Sequence, residues 1–292
     1  MTKKKIWFLV SLLILELVLV GVFFTKKDQP SAVEIDQTSQ STIQIESTDV
    51  EPIKEELPEH IDTKDWITSE ETISFPILMY HSLTSSDDGN TLKVPPHEFK
   101  EHMEWLKEND YYTLSPEEAY IVLTQNKKPK DNIVWVTLDD GYLNNYTEGY
   151  PIFEELKLKG TINYITSKTD HDAYFHEKEM KEMSESPFIS IESHTVSHLD
   201  LNTLSDEEIR NELVQSKDWL NQELNQETTV LCYPAGRYDE RIEQIAEETG
   251  YKMAITTEPG YASINDGLFA LKRVRVSPGY DKEQFGNYLT GT

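Results

Sequence analysis

Short apolar runs alternate with amphipathic stretches from about residue 73 onward. Strand-like apolar runs lie at 76–80, 133–138, 161–165, 189–191, 229–233, 253–256 and 271–276. Amphipathic stretches at 97–109, 147–158, 205–224 and 239–248 predict helices. Ser115 and Ser205 are each followed three residues later by a glutamate, the pattern of a helix N-terminal capping box. Strands and helices that alternate at these spacings predict parallel βαβ units, and some seven or eight such units favour a closed α/β barrel over an open sheet.

The first 27 residues have a different pattern, which predicts a membrane anchor. Lysines at 3–5 and 26–27 flank an apolar run over 6–24 that is interrupted by Glu16. A helix over this run would be about 28 Å long, close to the ~30 Å thickness of the hydrocarbon core. Phe23 and Phe24 stand where a signal peptide would have small residues before its cleavage site. We therefore predict a single uncleaved transmembrane helix, a cell-membrane location and an extracellular folded domain.

Residues 28–72 are dominated by Ser, Thr, Gln, Glu and Pro. A segment of this composition cannot bury enough apolar area to offset the entropy of ordering, so a disordered, acidic stalk is predicted. The sequence thus divides into an anchor at 1–27, a flexible linker at 28–72 and a folded domain at 73–292.

The charge balance limits the partners of the chain. The chain has 53 acidic and 27 basic residues, a formal net charge of -26. Such a surface repels nucleic acid and anionic lipid, so no nucleic-acid partner is expected, and contact with the membrane is expected through the N-terminal helix only. Cys232 is the one cysteine, which excludes an internal disulfide.

Polar residues that could carry chemistry follow three of the predicted strands. Asp139 and Asp140 follow the run at 133–138, and His194 and His198 follow the run at 189–191. A Tyr-Pro-Ala-Gly turn at 233–236 ends a third strand. Barrel folds assemble their active sites at the carboxyl ends of parallel strands. Each motif alone has an ordinary alternative, an Asp pair at a turn, two unrelated surface histidines or a simple loop. Together, one Asp and two His form a metal-ligand set that leaves a position for water, and the second carboxylate can act as a base.

These motifs resemble the polysaccharide deacetylase family, the NodB-homology enzymes of carbohydrate esterase family 4. Thr-Leu-Asp-Asp-Gly at 137–141 corresponds to the family's T-F-D-D-G, and His-Thr-Val-Ser-His at 194–198 corresponds to its H-[ST]-x-x-H. The resemblance covers about 76–276. It implies a distorted (β/α)7–8 barrel of NodB type, a divalent metal ion, usually zinc, and removal of acetyl groups from a polysaccharide.

The resemblance also implies roles for individual residues. Asp140, His194 and His198 would hold the metal ion, and Asp139 would be the general base that activates the attacking water. The backbone N–H of Ala235 would stabilise the oxyanion. Separately, Tyr142 and Tyr233 are candidates for lining a sugar groove, with packing in the core as the alternative for either ring.

The sequence departs from the family pattern at two points. Cys232 stands where most members have an arginine that steadies the catalytic Asp, and Arg273, or else Arg275, is predicted to replace it. No histidine follows His198, although most members take their general acid from a late histidine. His81, in a Met-Tyr-His segment, resembles the general acid of the poly-β-1,6-N-acetylglucosamine deacetylase branch and is predicted to supply that proton. The remaining histidines are interpreted as surface residues, namely His60, His97, His102, His171 and His176.

The expected partner is therefore an acetylated amino-sugar polysaccharide, with poly-N-acetylglucosamine favoured over peptidoglycan or O-acetylated xylan. The resemblance leaves open a place beside a polysaccharide synthesis or export complex. A surface glycan-binding module that has lost its chemistry is the alternative from another class of protein. No G-x-S-x-G nucleophile elbow is present, which argues against a serine hydrolase.

Overall fold

A computed structural model describes residues 61–86 and 88–291, and its centre is a sheet of eight strands. All strand pairings within this sheet are parallel. In chain order the strands are β1 (Ile77–Tyr80), β2 (Tyr112–Thr113), β3 (Ile133–Asp140), β4 (Gly160–Tyr164), β5 (Ile189–Ser193), β6 (Val230–Cys232), β7 (Met253–Pro259) and β8 (Leu271–Arg275).

The sheet closes on itself. Its hydrogen-bonded order is β1, β8, β7, β6, β5, β4, β3, and β1 also pairs with β3, so that seven strands form a ring. The short β2 pairs with the first residues of β3 beside β1. The ring is irregular, because β5 and β6 share only the pair Ser193 and Leu231 and the register shifts between β7 and β8. The predicted parallel α/β architecture is confirmed.

Within the described residues, seven α-helices connect and cover the strands. They are α1 (Pro96–Glu108), α2 (Pro116–Gln125), α3 (Tyr150–Leu156), α4 (Glu177–Ser184), α5 (Asp206–Leu224), α6 (Glu240–Glu248) and α7 (Lys282–Thr290). The capping boxes predicted at Ser115 and Ser205 are both present. The sequence pattern did not predict α4. This helix consists mostly of charged residues and buries only Met180 and Met183 in the core. The pattern did not predict α7 either.

Alternate residues of the strands face opposite sides of the ring, as a pleated strand requires. On β3, Val134 and Val136 pack outward against helix residues such as Phe99 and Phe153. Trp135 packs inward with the inner residues of the other strands, and its indole N–H donates to the Thr161 hydroxyl at 2.8 Å. Asp139 continues the inward row of β3, so the closed ring directs its carboxylate toward the barrel axis.

The folded domain begins before the predicted boundary at residue 73. Ile67–Thr68 pairs antiparallel with Lys127–Lys128, and the Asn126 side chain donates to the carbonyls of Ser69 and Glu71. Residues 61–72 are thus held by backbone pairing and by the side-chain amide of Asn126. Their polar composition did not reveal these contacts, so the prediction of a flexible linker is wrong for them. Two further short pairings are Ser74–Phe75 with Ala262–Ser263 and Ser82–Leu83 with Lys93–Val94.

The predicted membrane anchor at 1–27 and the linker up to residue 60 lie outside the described residues. Within the described ranges, no helix is both long enough and apolar enough to cross a membrane. The anchor therefore stays a prediction.

Candidate active site

The candidate residues converge at the carboxyl ends of the strands because the ring brings these ends together. The backbone there adopts left-handed conformations at non-glycine residues, with φ of 79° at Asp140, 65° at Thr195, 55° at His198 and 52° at Ala235. Such conformations cost free energy and are typical of functional sites. Gly141 is required after the Asp pair, since its φ is 83° and a Cβ there would lie 2.1 Å from the Tyr164 ring.

Asp140, His194 and His198 form a compact set of possible metal ligands. The Asp140 Oδ1 atom lies 3.4 Å from His194 Nε2 and 3.7 Å from His198 Nε2, and the three ligand atoms lie within 4.8 Å of one another. The Nδ1 atom of His194 lies 2.7 Å from the Cys232 carbonyl, an acceptor, which assigns the proton to Nδ1 and leaves Nε2 free to bind a metal. One carboxylate and two imidazoles suit a catalytic divalent ion, with further coordination positions open. The residues therefore fit the metal that the motifs imply.

A second cluster of potential ligands, formed by Asp139, His194 and Cys232, does not suit a metal ion. The Arg273 guanidinium donates to Asp139 Oδ2 at 2.7 Å and to the Cys232 thiol at 3.4 Å. Because a cation already lies between the carboxylate and the sulfur, a metal ion there would face its positive charge. Burial raises the pKa of Cys232, which keeps the sulfur a neutral thiol.

The Asp139 carboxylate is bound by Arg273 through two parallel hydrogen bonds. Nη1 donates to Oδ1 at 2.9 Å and Nη2 to Oδ2 at 2.7 Å, and both side chains are buried. Burial alone would raise the pKa of Asp139, but the adjacent guanidinium outweighs it and holds that pKa well below its usual range. Asp139 is therefore ionised, as a base must be. Arg275, the alternative partner, is exposed and instead donates to the Thr91 hydroxyl at 3.3 Å.

His81 lies beside the same carboxylate. Its Nε2 atom is 3.7 Å from Asp139 Oδ2, and the Asn145 amide donates to its carbonyl at 2.8 Å. Burial lowers the pKa of His81, and the negative charges of Asp139 and Asp140 act in the opposite direction. These side chains open into one cavity of about 270 Å³, which is lined by His81, Asp139, Asp140, His194, His198, Ala235, Leu92 and Arg275, among others.

Ala235 lies at the rim of this cavity, on the turn that follows β6. The turn is closed by the amides of Gly236 and Arg237, which donate to the carbonyls of Tyr233 and Pro234, so the Ala235 amide takes no part in these bonds. Its backbone is left-handed, and the residue lines the cavity. The arrangement is suited to binding a carbonyl oxygen.

The two tyrosines predicted to contact sugar have different positions. The ring of Tyr142 is half-buried and stacks on Tyr174, with ring centroids 5.2 Å apart. Tyr233 is fully buried, its ring packs on Tyr238, and its hydroxyl donates to the Phe269 carbonyl at 3.0 Å. Tyr233 is also among the residues that line the cavity, so its contact with a sugar stays a prediction.

The sequence pattern did not predict the positions of two buried residues, Asn163 and His102. Asn163 is fully buried on β4, and its amide donates to Asp139 Oδ1 at 2.7 Å. The one signal was a polar residue within a strand-like run. His102, interpreted as a surface residue, is fully buried, with Nδ1 3.1 Å from the Tyr80 hydroxyl and Nε2 2.8 Å from the Tyr280 carbonyl. His102 lies on the inner face of α1, and Tyr280, whose carbonyl contacts it, is distant in the sequence.

Comparison with known proteins decides which family has this site. A family model described as polysaccharide deacetylase matches residues 126–254. YxkH of Bacillus subtilis (strain 168), provisionally named as a polysaccharide deacetylase, is 47% identical over 228 residues, which are 78% of this chain and 80% of that protein. The chain belongs to the polysaccharide deacetylase family. Members of this family are hydrolases that act on amide bonds, so the resemblance seen in the motifs is confirmed.

Three other known proteins are similar to this deacetylase. A Streptococcus pyogenes deacetylase, PplD, solved in complex with acetate, is 36% identical with a TM-score of 0.72, over 75% of this chain and 99% of that one. A polysaccharide deacetylase from Bacillus cereus is 28% identical with a TM-score of 0.68, over 75% of this chain and 69% of that one. The poly-β-1,6-N-acetyl-D-glucosamine N-deacetylase of Staphylococcus epidermidis is 24% identical over 211 residues, 67% of this chain and 72% of its own.

Proposed function

We propose that this deacetylase removes N-acetyl groups from N-acetylglucosamine units of poly-β-1,6-N-acetylglucosamine, with zinc as its metal ion. The observation that carries the proposal is the contact between His81 and Asp139, which places an imidazole beside the proposed base on the cavity that holds the metal ligands. The Staphylococcus epidermidis relative, named for this polymer, supports the choice of substrate. One carboxylate and two histidines support zinc over the harder ions, which prefer oxygen ligands.

The proposed reaction divides proton transfer between two residues. A divalent ion at Asp140, His194 and His198 would polarise the acetyl carbonyl and make water more acidic. Asp139 Oδ2 takes a proton from water as the water oxygen bonds to the acetyl carbon, and the Ala235 amide donates to the oxygen that becomes negative. His81, protonated at Nε2, gives its proton to the sugar nitrogen as the C–N bond breaks. The products are acetate and a free amine.

The need for an acid separates the candidate substrates. An amine leaves poorly as its anion, so amide cleavage depends on proton donation by His81. The alcohol of an ester, when it is acidic, leaves without a proton donor.

Peptidoglycan is the second candidate. The Bacillus cereus protein named peptidoglycan-N-acetylglucosamine deacetylase supports it with 25% identity over 126 residues, which are 43% of this chain.

Acetate release by the full-length protein in detergent tests the proposal. The substrates are poly-β-1,6-N-acetylglucosamine, peptidoglycan and acetylated xylan, with wild type, Asp139→Asn and His81→Ala compared on each. We expect release from poly-β-1,6-N-acetylglucosamine to be fastest and to be lost in both variants. Faster release from peptidoglycan would transfer the proposal to that polymer. Release that survives in His81→Ala on an amide substrate would remove His81 as the acid.

We further propose that residues 1–27 anchor the deacetylase in the cell membrane with its catalytic domain outside, within reach of a complex that synthesises or exports the polymer. Support comes from the apolar run at 6–24, which has three lysines before it and two after it. External protease added to intact cells should remove the catalytic domain, and deletion of residues 1–27 should release the domain from the membrane fraction. A domain protected in intact cells would contradict this orientation.

A further inference from the structure

Asp139 is held by a second donor besides Arg273. Asn163 is the neighbour of Asp139 on the adjacent strand, and its amide donates to Oδ1 at 2.7 Å. Arg273 Nη1 donates to the same oxygen at 2.9 Å. All three side chains are almost fully removed from solvent.

The two carboxylate oxygens therefore have different surroundings. Each oxygen has about two acceptor sites. Oδ1 accepts hydrogen bonds from Asn163 and Arg273, and these two bonds occupy both of its acceptor sites. Oδ2 receives one bond, from Arg273, and faces His81 across 3.7 Å at the cavity. One lone pair of Oδ2 is left to accept a proton.

We infer that Asn163 is a positioning residue that fixes the Asp139 carboxylate so that Oδ2 alone acts as the proton acceptor. The inference rests on the proposed function, in which Asp139 is the base. Arg273 by itself holds the carboxylate by one edge. The Asn163 amide adds a donor from the side of β4 and stops the group from rotating about its Cβ–Cγ bond.

The surroundings of Asn163 argue against a role in the fold alone. Its Oδ1 atom is buried and has no hydrogen-bond partner among the described residues. An unpaired buried oxygen destabilises a folded protein, so an apolar side chain of the same size would suit the core better. The hydrogen bond to Asp139 is the one that the Asn163 side chain makes within the described part of the chain.

Thr161 provides a matched control. It is two residues earlier on β4, on the same inward face, fully buried and polar, and it accepts a hydrogen bond from Trp135 without touching Asp139. Thr161→Val removes a buried polar contact of the barrel in the same way as Asn163→Leu, but leaves Asp139 untouched.

The experiment compares Asn163→Leu, Thr161→Val and wild type as full-length proteins. Turnover is measured on poly-β-1,6-N-acetylglucosamine and on 4-nitrophenyl acetate, whose leaving group needs no acid and which therefore reports the Asp139 step separately. Zinc content and thermal unfolding are measured on the same samples. For Asn163→Leu we expect kcat to fall about 10- to 100-fold on both substrates, because a misplaced catalytic group costs about that much. Its KM and zinc content should match those of wild type, and its melting temperature should fall no further than that of Thr161→Val, since each variant removes one buried hydrogen bond.

Thr161→Val should lower the melting temperature to a similar extent but leave kcat nearly unchanged. Asn163→Leu with wild-type kcat on the ester would overturn the inference, as would a loss of activity that only follows a loss of zinc or of folded protein. A wild type inactive on all polysaccharides but active on the ester would contradict the proposed substrate. The ester measurement would then still decide the role of Asn163.

Discussion

Replacement of Arg273 by leucine should damage stability and activity together. The side chain is 1% exposed and donates to Asp139 twice, to the Thr137 hydroxyl at 3.0 Å and to the Thr256 carbonyl. Without it, the buried Asp139 carboxylate loses the charge that offsets its desolvation. Removal of one partner from a buried ion pair costs about 3–5 kcal/mol. In a domain of this size that corresponds to a melting temperature lower by roughly 6–20 °C.

The same change raises the pKa of Asp139, because burial, which raises it, is no longer outweighed by the guanidinium. The base is then protonated at higher pH, so kcat on an N-acetylated oligosaccharide should fall at least about 100-fold near neutral pH. Urea unfolding and acetate release on the same preparation measure both effects. Arg273→Lys keeps the charge but not the two-pronged geometry, and it should lie between wild type and Arg273→Leu.

A relocation variant separates the role of the charge from that of the position. Most members of the family have an arginine where Cys232 stands, and the Cys232 thiol already contacts the Arg273 guanidinium. The double variant Cys232→Arg with Arg273→Leu should therefore recover part of the activity that Arg273→Leu loses. If Arg273→Leu unfolds within about 1 kcal/mol of wild type and keeps its kcat, the reasoning about this pair is wrong.

Three further predictions concern other parts of the domain. Burial lowers the pKa of His102 to about 4, below the 6.5 of an ordinary histidine, so its contribution to stability is present above pH 6.5 and is lost as the pH falls toward 4. In urea unfolding of wild type, the free energy of unfolding should therefore be about 3 kcal/mol lower near pH 4 than above pH 6.5, and His102→Asn should lack this difference. A pH dependence that is unchanged in His102→Asn would contradict the prediction. Gly141→Ala should be destabilised by about 2 kcal/mol or more and be inactive, whereas Gly89→Ala, with left-handed φ but open space, should lose only about 1 kcal/mol. His198→Ala should lose zinc on dialysis while the exposed His97→Ala keeps it, and equal zinc contents would exclude His198 as a ligand.

The sequence predicted the parts of the fold that have a clear period or a local signal. The apolar run at 133–138 ends in the two carboxylates, and the structure has one strand there, Ile133–Asp140. The capping boxes at Ser115 and Ser205 depend on residues three apart, so they too could be recognised locally. Because parallel strands end on one face of the barrel, the motifs could be expected to meet there.

Contacts between distant residues were harder to predict. Arg273 and Asp139 are 134 positions apart, and the sequence alone gives no physical criterion for choosing Arg273 over Arg275. Both arginines lie on the same face of β8, and their depth decides between them, since Arg273 is buried within the ring and Arg275 reaches the cavity rim. The alternation of side chains along a strand sends Tyr233 outward and Asn163 inward. Composition and spacing do not show these directions until the register of the closed ring is known.

Metal-dependent removal of acetyl groups from poly-β-1,6-N-acetylglucosamine is the central claim, and a metal-reconstitution assay on the full-length protein tests it most directly. The protein is stripped with a chelator, reloaded with one equivalent of zinc, and the acetate and free amines produced from the polymer are counted together. We predict no release after stripping, recovery after reloading, and one amine for each acetate. Undiminished release from the stripped protein, or no release after zinc is bound, would contradict the account.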